Sequence, residues 1–166
     1  MKKLLSLMLL ALPLAFTTTS CSDDDDLPNV EMSITVSGAE CIDGTIYVVQ
    51  GNTLNIESIN VTNNEPDKAA TITSADYYWD YRLIGTAMLP PYGFKIETVK
   101  TEGDIEGTPL GEHLLQIEAP LLAVDKEVAT AILVYKVVVV ASEDEIPENP
   151  DPDQPATIGS TPTLRK

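Results

Sequence analysis

From Val30 to Ala141 the chain is built of short runs of β-branched and aromatic residues, separated by turn chemistry at spacings of roughly 8–20 residues. No stretch in this region carries the i, i+3, i+4 apolar repeat of an amphipathic helix. Val30, Met32, Ile34 and Val36 alternate with Glu31, Ser33 and Thr35. Successive side chains on a strand point to opposite faces, so this run predicts a strand buried on one side. Asp43-Gly44 supplies a turn before Thr45, and Gln50-Gly51-Asn52 another before Leu54. In the next run Leu54 and Ile56 share one parity and Ile59 and Val61 the other. A bulge near Ser58 brings both pairs to the same face. A fourth run, 71–84, sets Tyr77, Trp79 and Tyr81 on one face, which is read as core, and Asp76, Tyr78, Asp80 and Arg82 on the other. Pro90-Pro91-Tyr92-Gly93 turns the chain into Phe94, and further strands begin near His113 and Val128. The last run is apolar on both parities, which predicts cover on both faces for part of its length or a change of partner sheet.

Seven strands in about 115 residues is the size of an immunoglobulin-like antiparallel sandwich. Trp79 in the mid-chain strand, together with Gly111-Glu112-His113-Leu114 before a final apolar strand, resembles the immunoglobulin-like and PKD-like modules of bacterial surface proteins. That resemblance implies a tryptophan at the centre of the sandwich and a Gly-x-His turn opening the penultimate strand. The inter-sheet cysteine pair of immunoglobulin domains is missing. A small β-barrel is the competing architecture.

The two ends of the chain read differently. Lys2 and Lys3 precede an apolar run over 4–16 and a small polar stretch over 17–20, the build of a secretory signal peptide over residues 1–20. The run is shorter than the roughly 20 residues of a membrane-spanning helix. Thr18-Thr19-Ser20-Cys21 resembles the lipobox of bacterial lipoproteins, although Thr18 stands where that family prefers leucine. The resemblance implies diacylglycerol attachment at Cys21, cleavage before it and a palmitate-bearing anchor. Ser22, Asp23, Asp24, Asp25 and Asp26 resemble the acidic export tag of surface-exposed lipoproteins of Bacteroidota, which implies display on the outer face of the outer membrane. A plain self-repelling tether over 21–29 is the alternative reading of the aspartates. Four consecutive carboxylates lack the fixed oxygen geometry of a calcium loop. Beyond the sandwich, assigned to 30–141, the segment 142–166 is rich in Pro, Asp and Glu and reads as an extended, disordered tail whose removal leaves the melting temperature unchanged.

Charge and composition narrow the function. Ten Lys and Arg against 26 Asp and Glu give a formal net charge of −16, deepened when the signal peptide takes Lys2 and Lys3 away. Phosphate binding draws on Lys and Arg, so nucleic-acid roles are excluded. The single histidine, His113, has no cysteine or Ser/Asp partner at a motif spacing and reads as a residue hydrogen-bonded to a turn. Cys41 has no partner once Cys21 is lipidated, and reads as a small buried hydrophobe. Asp76 and Asp80 lie about 13 Å apart along a strand, too far for paired-carboxylate glycoside hydrolysis, and read as a solvated face salt-bridged to Arg82. No catalytic residue, metal site or cofactor is expected. Tyr78 and Tyr92, with Asp80 and Arg82, are the candidate ligand-binding residues, because exposed aromatic rings stack on sugars or partner proteins. The expectation is a non-enzymatic cell-surface lipoprotein that binds or builds. The alternative is glycan capture for a polysaccharide-uptake system, for which Tyr78 and Tyr92 must be exposed together in a groove.

Overall fold

A computed structural model describes residues 27–148 and 156–166; residues 1–20, Cys21 and the acidic run Ser22 to Asp26 lie outside them. Twelve strands are present among the described residues: β1 Val30–Ser37, β2 Glu40–Ile42, β3 Thr45–Val49, β4 Thr53–Asn63, β5 Ala70–Ile72, β6 Ala75–Trp79, β7 Arg82–Ala87, β8 Phe94–Glu97, β9 Gly111–Ala123, β10 Ala129–Val140, β11 Thr157–Ser160 and β12 Thr163–Arg165. They form two sheets. The smaller runs β11-β1-β4-β8, and the larger runs β2-β3-β10-β9-β6-β7, with β5 added to β9 and β12 to β10. Every pairing is antiparallel except β3 with β10. The chain crosses from β4 in one sheet to β6 and β7 in the other, returns for β8 and crosses again for β9 and β10. That Greek-key path, with the faces of two sheets sharing one core, is an immunoglobulin-like β-sandwich.

Local chemistry explains most of the frame. Asp43 and Gly44 take φ values of 50° and 75°, the two left-handed residues of a tight hairpin that closes β2 on β3. The bulge expected near Ser58 is present: Thr35 pairs with Ser58 while Val36 pairs with Ile56, so Glu57 is the extra residue. The slip leaves Leu54, Ile56 and Ile59 all buried. Gly111, at φ 112°, opens β9 two residues before His113, but β10, β11 and β12 follow, so this is not the penultimate strand that the Gly-x-His resemblance implied.

Three further expectations are corrected. The run 71–84 is three strands rather than one, because Asp80 and Tyr81 both adopt left-handed backbone, with φ values of 48° and 67°, and turn β6 back as β7. Parity fails across such a turn, so Tyr81 is 79% exposed instead of core. Second, the centre of the sandwich is filled by Tyr77, fully buried and stacked on Phe94 at 4.7 Å, whereas Trp79 is only half-buried at the strand's end. A methyl at Gly85 would overlap the Phe94 ring, so the glycine is what admits this stack. Third, the stretch 142–166 is not wholly a solvated tail. Its last residues form β11 and β12, and Ile158 joins the core. Alternation of Ile158, Pro162 and Leu164 with polar residues is a strand signal that the surrounding Pro and acid content obscured. Strand β10 stays within one sheet. Its odd-numbered residues from Ala129 to Val139 face the core, and Val140 is buried as well at its end.

Candidate functional site

The four candidate ligand-binding residues fall in three different environments. Tyr92 is buried: its hydroxyl donates to the Ile72 carbonyl at 2.6 Å, and its own carbonyl accepts from the Tyr77 hydroxyl at 2.5 Å. It is a core strut, and it shares no groove with Tyr78. The loop residue is drawn inward because its ring and its hydroxyl both find partners there.

Asp80 sits in the β6–β7 turn and is consumed by local structure. Its Oδ1 accepts the Leu114 backbone N–H at 2.9 Å, and its Oδ2 accepts His113 Nδ1–H at 2.7 Å. His113 Nε2 lies 2.8 Å from the Pro109 carbonyl, and the imidazole stacks on Trp79 at 4.9 Å. Both ring nitrogens face acceptors, so a doubly protonated ring fills both bonds and a neutral ring fills one. Partial burial pushes the Asp80 carboxyl up, but the hydrogen bonds from His113 and Leu114 and the imidazole's charge outweigh it and hold the group below its usual range. The expected Asp80–Arg82 salt bridge is absent among the described residues; Asp80 is paired with His113 instead, and Arg82 lies exposed at the start of β7. Asp76 accepts the Thr86 hydroxyl at 2.5 Å. His113 is therefore the turn anchor expected of it, here clamping two turns to the head of β9.

Tyr78 is the one member of the set on the broad outer face of a sheet. It is half-buried on the outer face of the larger sheet, opposite Gln116 on β9 and Leu83 on β7, and Gln116 in turn is opposite Val134 on β10. The register thus lines up Leu83, Tyr78, Gln116 and Val134 in one row, with Leu83 58% and Val134 50% exposed. A parallel row holds Asp76, Glu118 and Ile132. Charged groups edge the face in pairs, Lys136 with Glu112 and Arg165 with Glu118. The Tyr78 hydroxyl is held above its ordinary value, first by burial and then by the Glu118 and Asp76 carboxylates, with Arg165 opposing. It therefore presents a neutral donor at physiological pH. Leu83, Gln116 and Val134 were missed by sequence reasoning, since only strand pairing shows which residues of distant segments share a row.

The other reactive groups are quiet. Cys41 is half-buried against the core, and burial with the nearby Glu40 charge pushes its thiol up to about 11, so it is not a nucleophile at neutral pH. Among the described residues no three His, Cys, Asp or Glu side chains are grouped to hold a metal ion. A cleft of about 180 Å³ beside Trp79, lined by Ile84, Ile96, Thr98 and Thr108, is smaller than the ~300 Å³ of ordinary small-molecule sites.

No family model matches the chain, and no curated protein does. Among solved structures it is similar to one described as "Structures of Clostridium thermocellum CbhA fibronectin(III)-like modules", with 14% sequence identity and a TM-score of 0.43. The likeness covers 74% of this chain and 53% of that one, so this chain matches about half of the other's length.

Proposed function

We propose that the protein is a surface-displayed bacterial lipoprotein, anchored through Cys21, that binds a partner protein with the outer face of its larger sheet around Tyr78. One observation carries the binding reading: exposed Leu83 and Val134 stand in one row with half-buried Tyr78, while the side chains best suited to chemistry, His113 and Asp80, are tied to holding turns. Half-exposed apolar side chains beside a tyrosine on a rigid sheet make a contact surface that loses little entropy on binding. The anchor rests on the lipobox and acidic-tag resemblance, and more than one acyl chain makes such attachment durable. Glycan capture loses the paired tyrosines it required, because Tyr92 is core.

Two experiments test this reading. In cells, Cys21→Ala or globomycin is expected to leave unprocessed precursor, and protease added to intact cells is expected to cut the mature wild-type protein; normal processing of the variant overturns the anchor. For the face, a photo-crosslinker placed at Val134 on intact cells is expected to capture a protein band that Tyr78→Ala weakens. Binding to a glycan array with no captured protein would overturn the partner assignment.

A further inference from the structure

The C-terminal segment has a pattern that the proposed binding face does not use. From Ala156 to Leu164 its residues alternate: Ile158 and Pro162 are buried and Ala156, Ser160 and Leu164 half-buried, while Thr157, Gly159, Thr161 and Thr163 are exposed. Strand β11 pairs with β1 over Met32–Thr35, and β12 pairs with β10 over Thr130–Ile132. A single extended stretch therefore crosses from the smaller sheet to the larger and closes one flank of the sandwich. On that flank β3 covers β10 only from Lys136 to Val140, and β12 takes up part of what β3 leaves. Without the segment, β1 and the first half of β10 are bare edges, which proteins seldom leave open to water.

We infer that this segment is an exchangeable strand, able to fill the β1/β10 flank of a second copy of the chain as well as its own. Its contacts are a backbone ladder and alternate inward side chains, the form in which an added strand is recognised. Every one of them is available in identical register between copies, so exchange requires no new interface. The connecting sequence favours reach: residues 141–155 contain Pro147, Pro150, Pro152 and Pro155 among Glu143, Asp144, Glu145, Glu148, Asp151 and Asp153. Fifteen residues drawn out would span up to about 50 Å, enough for the segment to reach a neighbouring copy as well as its own flank. The occupant is a second copy because the flank is already fitted to this sequence, with Ile158 opposite Ile34 and inside the core.

Thr35 and Thr157 face one another in register, their hydroxyl oxygens 3.5 Å apart, and give a direct test. Full-length chains with Cys21→Ser and Cys41→Ser, one carrying Thr35→Cys and the other Thr157→Cys with tags of different size, are co-expressed and oxidised. A disulfide-linked heterodimer is expected, and it should not form when Glu31→Cys, off the β11 register, replaces Thr35→Cys. A chain with both cysteines, Thr35→Cys and Thr157→Cys, reports the register itself. If that chain closes only on itself and the mixed single variants give no heterodimer, exchange is overturned. Equal linking by the Glu31→Cys chain would mean random collision and overturns it too, and failure of the double variant to link at all removes the β1–β11 pairing on which the inference stands.

Discussion

The two faces of the larger sheet are built from the same strands and much the same residue types, yet they do opposite things. Inward, Tyr77, Leu115, Ile117, Leu133 and Val137 are fully covered by the smaller sheet. Outward, one residue away in each strand, Tyr78, Leu114, Gln116, Val134 and Val138 are left half-buried or exposed. Valine at 137 is structure and valine at 134 is surface, so hydrophobicity alone assigns neither role. Parity within a strand separates the two sets, and register across strands assembles the outer one into a patch.

The sharpest way to break this contrast is to cut equivalent side chains on each face. Ile117→Ala is expected to cost about 2–5 kcal/mol, since it leaves a cavity in a packed core. Chemical denaturation would read it, and a loss below ~1 kcal/mol would mean the inner face is loosely packed. Deleting 156–166 comes next. The sequence alone suggested no change in melting temperature, but removing buried Ile158 and Pro162 is expected to cost about 2–3 kcal/mol; an unchanged Tm would return the segment to the status of a tail. Tyr77→Phe should then cost about 1 kcal/mol by leaving the Tyr92 carbonyl without its donor, against no measurable change for Tyr78→Phe.

Smaller still is the effect at the turn beside the outer face. Asp80 has a depressed folded-state pKa, so its contribution is present above the unfolded carboxyl value of about 4 and is lost as pH falls through the lower folded value. Wild type and Asp80→Asn should differ in Tm at about pH 6 and converge toward about pH 2; a constant gap would show that the carboxylate's charge is irrelevant to the turn. Val134→Ser should stay within about 0.5 kcal/mol, as expected of an exposed position.

What could be read from sequence follows from how local each cause is. The alternation of β1, the Asp43-Gly44 hairpin and the bulge at Glu57 are set by neighbours in the chain, and each was legible. The Asp80-Tyr81 turn was not, because no glycine or asparagine marks it; it is held by Leu114 N–H and His113, more than thirty residues downstream. Tyr92 was misplaced for a similar reason: its partners, Ile72 and Tyr77, belong to other segments. Of the candidate site, Tyr78 stands on the outer sheet face while Arg82 is exposed at the start of β7, and the row-mates of Tyr78 depend on pairings that a linear reading does not contain. The sparse core signal of β11 and β12 was masked by the acids and prolines that precede them.

The place of β1 has a mechanical corollary. Strand β1, the first among the described residues, is gripped by β4 along its whole length and by β11 over its middle, so it is an interior strand. Tension arriving through residues 21–29 would have to break two ladders together before the domain began to unravel, and releasing the C-terminal strand would leave one. Whatever occupies the β11 position therefore also sets how hard the protein can be pulled.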